Sequence, residues 1–174
     1  MTYPLPPLIG PPLPAVEARA LARRHGLRER VLVYVTRGTG ELLVFERTPG
    51  APDAGVQVPA GGLEPGEAPE QAAVRETWEE TGLELSGPVH LASFPWSKGE
   101  LSEVWHFFHL PAPTATPDAW THRVTHGKQD AGLTFLCRFA PLGACGLTPG
   151  DGYDAALPDL TRHLPLSPME FSHD

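Results

Sequence analysis

Four charged side chains in one short segment form the strongest chemical signal in this sequence. One arginine and three glutamates spaced i, i+3 and i+4 follow one another closely: Arg75, Glu76, Glu79 and Glu80. In an α-helix this spacing puts the three carboxylates on one face. Carboxylates so close repel one another, and a cluster of hard oxygen ligands suits Mg²⁺ or Mn²⁺. Arg75 precedes Glu79 by one helical turn, so its guanidinium can orient that carboxylate.

The residues around this cluster predict a helix over 69–81. Pro65-Gly66 is typical of a turn, Pro69 is tolerated in a first helical turn, and Gly82 is suited to end the helix. No glycine interrupts the stretch between them. The helix is therefore expected to pack on the domain through the side that carries Ala73, Val74, Thr77 and Trp78.

The segment from Gly61 to Leu83 resembles the signature box of the Nudix hydrolases. That pattern is Gly, five residues, Glu, seven residues, Arg-Glu, an aliphatic, any residue, Glu-Glu, any residue, Gly and an aliphatic. All fixed positions match at the right spacing, namely Gly61, Glu67, Arg75, Glu76, Glu79, Glu80 and Gly82. Only Thr77 stands where an aliphatic residue is usual. A glutamate-rich helix face alone is more often solvated surface, and the match at the other fixed positions favours a metal site instead.

The resemblance implies both a fold and an activity. The fold is α/β, a Nudix-type α/β/α sandwich with a mixed β-sheet. The activity is hydrolysis of a pyrophosphate bond in a nucleoside diphosphate linked to another moiety. The resemblance also implies that Mg²⁺ or Mn²⁺ is held by Glu76, Glu79 and Glu80 and by the backbone carbonyl of Gly61. Such a metal neutralises the diphosphate, positions the phosphorus and activates the attacking water.

The general base is left open between the helix and a later loop. In some Nudix relatives a helix glutamate serves, and in others a carboxylate on a later loop does. The later candidates are Glu100, Glu103, Asp118 and Asp130. Asp130 lies in a polar, glycine-flanked segment between predicted strands, where either an added base or a turn-capping aspartate is typical. The predicted catalytic residues are therefore Glu76, Glu79, Arg75 and Asp130.

Substrate-binding residues are predicted on residue type alone. Arg47 and Arg123 are candidates for binding phosphate, and Trp120 for stacking on a nucleobase. His122 and His126 are further candidates for contact with phosphate or base, although surface histidine is the commoner outcome. The histidine spacing matches no zinc motif.

Composition bounds the class of protein. The chain has 174 residues, 41% of them hydrophobic, and a formal net charge of −8. This charge disfavours a nucleic-acid-coating role, which leaves a small nucleotide-derived substrate, with a capped RNA end as the one nucleic-acid exception. Two cysteines are too few for a disulfide framework or a thiolate zinc site. With no membrane-length apolar run and no signal-peptide pattern, we expect a cytoplasmic protein without a membrane partner. A homodimer is compatible with the sequence.

The chain is predicted to hold one domain with two extensions. Residues 1–14 are a proline-rich arm, 15–165 a single Nudix domain, and 166–174 a loose tail. Within the domain we predict a helix at 15–25 ended by Gly26 and a short helix within 153–163. The predicted strands are 30–36, 41–47, 56–59, 88–96, 101–110, 119–126 and 132–140.

Two other functions remain as alternatives. A non-catalytic sensor of nucleotide derivatives is possible on the same fold, but such proteins often lose box glutamates and this chain keeps them all. An isomerase of isoprenoid diphosphates needs a cysteine close to the site, whereas Cys137 and Cys145 are far from the box in sequence. Nothing in the sequence identifies the moiety attached to the diphosphate.

Overall fold

The computed structural model describes residues 7–47, 55–127 and 131–165, which form eight strands and three helices. A 3-10 turn at Leu142–Ala144 connects the last strand to the last helix. The elements in chain order are β1 (Leu8–Ile9), α1 (Ala15–His25), β2 (Arg28–Arg37), β3 (Glu41–Arg47), β4 (Ala60–Gly62), α2 (Pro69–Thr81), β5 (Val89–Lys98), β6 (Leu101–Ala112), β7 (Ala119–Arg123), β8 (Thr134–Pro141) and α3 (Leu157–His163).

The centre of the sheet is β2. It pairs in parallel with β6 along its whole length, while the other strand pairs are antiparallel. The strand order is β1-β5-β6-β2-β3-β8-β7, with β4 added on β2. The run Val31 to Val35 is fully buried, as expected for a strand covered on both faces. The predicted mixed sheet is confirmed.

The two faces of β2 pack against different helices. Leu32 and Tyr34 lie in one core cluster with Leu160 of α3. Val31 and Val33 point the other way and lie in a second cluster with Ala72 of α2. Helices therefore cover both faces of the sheet, and the predicted α/β/α sandwich is confirmed.

One edge of β2 is shared by two partners, and this places the box. Near its end β2 pairs with β3, through Thr36 and Arg37. Its first half pairs with β4 instead, with Arg30 opposite Gly62 and Val31 opposite Gly61. The start of the box thus lies directly beside the start of β2.

The short strand before the box was predicted wrongly. We predicted a strand at 56–59, but the strand is β4 at Ala60–Gly62, and only Gln57 forms an isolated bridge, to Phe45. Pro59 has no N–H to donate to a ladder; its carbonyl accepts a hydrogen bond from the Val33 amide at 2.8 Å.

Most other element boundaries agree with the sequence. Helices α1 and α2 have the predicted bounds. Strand β7 ends at Arg123 rather than 126, because Val124 closes a turn with Leu133 and Gly132 through backbone hydrogen bonds of 2.8 and 2.7 Å. Helix α3, Leu157–His163, lies within the predicted range of 153–163. Within the described ranges, no helix is long and apolar enough to cross a membrane. Residues 1–6 of the predicted arm and the predicted tail, 166–174, lie outside the described ranges.

Candidate active site

A cleft of about 350 Å³ opens where β2, β4 and α2 meet. One wall comes from the box and contains Gly61, Arg75, Glu76, Glu79 and Glu80. The other wall contains three arginines from β2 and β3: Arg28, Arg30 and Arg47. The fold therefore brings together most of the residues that the sequence singles out.

Arg75 is the hub of the box wall. It donates to both oxygens of Glu67 at 2.7 and 2.8 Å, to Glu76 at 2.8 Å and to Glu79 at 3.2 Å. It also donates to the Gly62 carbonyl at 3.0 Å. Hydrogen bonding to Glu67 is the main cause that raises the Arg75 pKa above its usual range, and the same contact lowers the Glu67 pKa. Arg75 therefore stays charged and fixes the carboxylates around it.

Gly61 makes room for the Glu76 carboxylate. A Cβ at position 61 would overlap that carboxylate, so no larger residue fits without displacing it. Glu76 is only 9% exposed. Burial raises its pKa to about 7, opposed by Arg75 and increased by the nearby Glu79. Burial therefore makes the charged form of Glu76 costly unless a cation is close to it.

The other two box glutamates connect α2 to neighbouring strands. Glu80 is buried, and its carboxylate accepts a hydrogen bond from the Ala60 amide at 3.3 Å. The backbone carbonyl of Glu79 accepts one from the His122 ring at 2.9 Å. Helix α2 is thereby tied to β4 at one side and to β7 at the other.

The donors fit a divalent cation in charge and in type. Four carboxylates lie within 4 Å of the single Arg75 guanidinium: Glu64, Glu67, Glu76 and Glu79. Negative charge thus exceeds positive charge on this wall, and the oxygen donors are those that Mg²⁺ prefers. In the described ranges, no three His, Cys, Asp or Glu side chains are already grouped to hold a metal ion. The physical reason is that Arg75 draws Glu76 and Glu79 towards itself.

Two arginines in the opposite wall were not predicted. Arg28 crosses Gly62, where a Cβ would come within 2.7 Å of its Nη2 atom. Arg30 lies over the Trp105 ring at 5.5 Å, and its Nε has no hydrogen-bond partner in the described part of the chain. The one available signal was two arginines at i and i+2 at the start of a valine-rich strand, which puts both on one face.

The predicted substrate-binding residues have different positions. Arg47 lines the cleft and lies over the Phe135 ring at 5.9 Å. Trp120 and Arg123 are not brought to the cleft. The Trp120 indole donates to the Thr81 carbonyl at 2.9 Å and so anchors the end of α2, while Arg123 is exposed at the end of β7.

The loop that contains Asp130 starts beside Glu79. Asp130 itself lies outside the described residues. A Cβ on Gly127 would come within 3.6 Å of Glu79 Oε2, and His126 lines the cleft. Trp78, which we expected in the packing face of α2, is instead 39% exposed, with its ring 4.9 Å from that of His126. Ala72, which we did not expect in the packing face, is fully buried.

The other candidate bases do not line the cleft. Glu100 is exposed in the turn between β5 and β6, and Asp118 is paired with Arg37 at 2.6 Å. Glu103 is buried and accepts a hydrogen bond from the Trp105 indole at 2.9 Å. The helix glutamates and Asp130 therefore remain as candidates for the base.

Neither cysteine lines the cleft either. Cys137 and Cys145 are both buried. Burial raises the pKa of the Cys137 thiol to about 12, so it stays protonated and is a poor nucleophile or acid at neutral pH. The cysteine that the isomerase alternative requires is not found at the site.

Comparison with known proteins gives partial sequence relatives. An RNA pyrophosphohydrolase of Roseobacter denitrificans is 46% identical over 112 residues, which are 64% of this chain and 62% of that protein. Nudix hydrolase 19, chloroplastic, of Arabidopsis thaliana is 54% identical over 43 residues, or 25% of this chain and 10% of that one. An ADP-ribose pyrophosphatase of Bacillus subtilis is 43% identical over 53 residues, or 30% and 29%. The chain thus spans less than two thirds of each of these relatives.

Solved structures and a family model agree on the fold. A MutT protein from Methanosarcina mazei superposes with a TM-score of 0.56 at 18% identity, over 79% of this chain and 94% of that one. An Ap4A hydrolase binary complex from C. elegans gives 0.55 at 15% identity, over 79% and 95%. The model of the NUDIX domain matches residues 26–138, which include all of the box and both walls of the cleft. The chain belongs to the Nudix family.

Proposed function

We propose that this protein is a Mg²⁺- or Mn²⁺-dependent pyrophosphohydrolase that cleaves an anhydride bond in a nucleoside diphosphate derivative. One observation carries the proposal: the box carboxylates and three arginines of β2 and β3 line the same cleft. Carboxylates that can hold a divalent metal and arginines that can bind phosphate oxygens are the two kinds of group that a polyphosphate needs.

The chain's own residues divide the work between the two walls. Arg28, Arg30 and Arg47 bind the phosphate oxygens and hold the diphosphate against α2. Arg75 orients the Glu76 and Glu79 carboxylates through the hydrogen bonds described above. Arg75 can orient these carboxylates without contact with the substrate.

Hydrolysis then needs one proton acceptor. The water oxygen forms a bond to phosphorus, the anhydride P–O bond breaks, and the departing phosphate group leaves with that bridging oxygen. We assign the acceptance of the water proton to Glu79, with Asp130 of the adjacent loop as the second candidate. Glu79 lies in the cleft, and its Oε2 atom is beside Gly127, at the start of that loop.

The metal is assigned to Glu76, Glu79 and Glu80 and to the Gly61 carbonyl. When bound, a divalent cation neutralises the diphosphate and lowers the pKa of a coordinated water. Glu76 and Glu79 are paired with Arg75, and with Glu80 they would hold the metal.

The test is a turnover assay on a panel of substrates in water enriched in ¹⁸O. The panel contains ADP-ribose, a nucleoside triphosphate and 5′-triphosphorylated RNA, each with Mg²⁺, with Mn²⁺ and with EDTA. We expect turnover that EDTA abolishes, with ¹⁸O in a phosphate group of one product. Binding without turnover of any member would contradict the proposal and support the non-catalytic sensor.

Three narrower expectations stay predictions. The names of the relatives, an RNA pyrophosphohydrolase and an ADP-ribose pyrophosphatase, support a nucleotide-derived substrate or a capped RNA end without choosing between them. A cytoplasmic location and a homodimer were predicted from the sequence; sedimentation velocity on the full chain tests the second.

A further inference from the structure

We propose that the cavity next to the cleft binds the hydroxyl groups of a sugar attached to the far phosphate of the diphosphate. This cavity, here called the annex, has a volume of about 470 Å³ and is lined by Arg19 of α1, by Arg28 and Glu29 of β2, and by residues 63–68 of the box loop. The inference rests on the proposed function and narrows its substrate class to nucleoside diphosphate sugars.

The annex and the cleft are neighbouring cavities that share part of their lining. Arg28, Leu63, Glu64 and Pro65 line both cavities. The Arg28 guanidinium can lie across Gly62 because that residue has no Cβ. A diphosphate held in the cleft is therefore close enough for its second substituent to extend past Arg28 into the annex.

The Glu29 carboxylate in the annex has one oxygen hydrogen-bonded within the protein and the other free to accept a hydrogen bond from a ligand. Glu29 Oε1 accepts from Arg19 Nε at 3.1 Å and pairs with His106 Nε2 at 2.9 Å. Glu29 Oε2 has no hydrogen-bond partner in the described ranges and is not among their buried unpaired atoms. A fixed carboxylate with an accessible oxygen is the group that accepts hydrogen bonds from ribose hydroxyls in nucleotide sites.

A buried chain of side chains fixes the position of Glu29. His106 is fully buried and pairs with Ser93 Oγ at 2.6 Å, and Ser93 Oγ pairs with His90 at 2.8 Å. Burial lowers the His106 pKa despite the nearby carboxylate, so the ring is neutral. Its one N–H then donates to Glu29 and its other nitrogen accepts from Ser93.

This row of hydrogen-bonded side chains does not act as a nucleophilic triad. It has the order of residues of one, with Ser93, His106 and Glu29, but Ser93 and His106 are 0% exposed and no substrate reaches the hydroxyl. Its effect is to remove rotamer freedom from Glu29 before any ligand arrives. Such preorganisation lowers the cost of binding.

The charges of the annex favour a neutral, hydroxylated group over more phosphate. Its lining contains the carboxylates of Glu29, Glu64 and Glu67 against the guanidinium groups of Arg19 and Arg28. Arg19 is already paired with Glu29. Glu67 is likewise paired, with Arg75, so only Arg28 is left to balance a third phosphate, whereas a sugar hydroxyl would supply the donor that Glu29 Oε2 lacks.

The test compares two non-hydrolysable probes, one with a sugar on its far phosphate and one without. They are the α,β-methylene analogues of ADP and of ADP-ribose, and their Kd values are measured by titration calorimetry with saturating Mg²⁺. We expect the wild-type protein to bind the sugar-bearing probe about tenfold more tightly, as for one charge-assisted hydrogen bond. Glu29→Gln is expected to remove this advantage and to leave the Kd of the shorter probe unchanged. Glu17→Gln, an exposed change on α1, should alter neither value.

Each other result separates the annex from the proposed function. If wild-type protein binds the two probes equally, or if Glu29→Gln weakens both equally, the proposal for the annex is overturned and the proposal for the cleft stands. If neither probe binds, the annex proposal fails, and the turnover panel described above decides whether the proposed function fails as well. If circular dichroism shows that Glu29→Gln is unfolded, Arg19→Gln replaces it. We expect this variant to bind the sugar-bearing probe several-fold more weakly and the shorter probe with unchanged affinity.

Discussion

The two ends of β2 both carry arginine, but among the described residues only at the C-terminal end is the guanidinium hydrogen-bonded to several protein groups. We call this the closed end, and the N-terminal end the open end. At the end of the strand, Arg37 lies 4.5 Å from the Phe139 ring centre. Its donors are taken up by one carbonyl and two carboxylates, at 2.6, 2.5 and 2.6 Å, from Thr116, Glu41 and Asp118. Beside it, Thr36 is hydrogen-bonded to His109 at 2.6 Å.

The start of the strand is open. Arg28 and Arg30 line the cleft and the structure gives neither an ion pair within the described residues. An arginine with a structural role has its hydrogen-bond donors paired within the protein, whereas an arginine that binds an anionic ligand keeps donors available for it. The comparison predicts that changes at the open end alter catalysis and that changes at the closed end alter stability.

The largest expected effect is at the carboxylates that face the open end. Glu79→Gln keeps the shape of the side chain but removes its charge. We expect kcat to fall about 100- to 1,000-fold, the usual loss for one preorganised electrostatic group, with little change in Tm. Initial rates at saturating Mg²⁺ measure this. Glu84→Gln, an exposed residue just past α2, is the matched control, and wild-type rates in Glu79→Gln would contradict the metal assignment.

The open arginines come next. Arg30→Gln removes a guanidinium that we assign to substrate phosphate. The expected loss in kcat/KM is about tenfold to a hundredfold, while the midpoint of thermal unfolding stays close to that of wild type. A large fall in Tm with unchanged kcat/KM would show that Arg30 serves the fold, and the contrast between the two ends would be lost.

A pH dependence is expected at the closed end. Burial, and next the neighbouring His163, lower the His109 pKa to about 4, against about 6.5 in the unfolded chain. The native state resists protonation, so the stability from His109 is complete above pH 6.5 and is lost as pH falls towards 4. Between pH 8 and pH 5 the loss is at most about 2 kcal/mol.

The measurement is urea unfolding at several pH values for wild type and His109→Gln. Because other groups also titrate in this range, the difference between the two proteins is the informative quantity. The variant should show a flatter decline below pH 6.5. Parallel curves would mean that His109 does not contribute.

The smallest effect is expected at Arg37. Arg37→Gln removes two ion pairs near the surface, and such pairs contribute little each. We expect Tm to fall by about 2–4 °C at most and kcat/KM to stay unchanged, because Arg37 does not line the cleft. A loss of activity without a loss of Tm would break the contrast between the two ends.

The sequence predicted the elements whose signals are local. Helix α2 ends at Gly82, whose φ of 77° is in the left-handed region that favours glycine, and α1 ends in the same way at Gly26, with φ 61°. Capping, alternation and turn residues determine these features within a few positions. The box glutamates and Arg75 could also be found, because their spacing on one helix is itself the signal.

The missed residues depend on pairing between distant segments. Arg28 and Arg30 reach the cleft only because β4, rather than β3, pairs with the first half of β2. Glu29 meets His106 because β2 and β6 are parallel neighbours in one particular register. Trp120 has the residue type for stacking on a base, but β7 places its indole under the end of α2. Residue type and local spacing do not specify these contacts.

The most direct test of the central claim is metal binding by the box wall. Mn²⁺ titration followed by electron paramagnetic resonance measures free metal in solutions of wild type and of the Glu79→Gln, Glu80→Gln double variant. We predict saturable binding by wild type and binding at least about tenfold weaker in the variant, since two charged ligands are lost. Equal affinities in two folded proteins would contradict the assignment of these carboxylates to a metal.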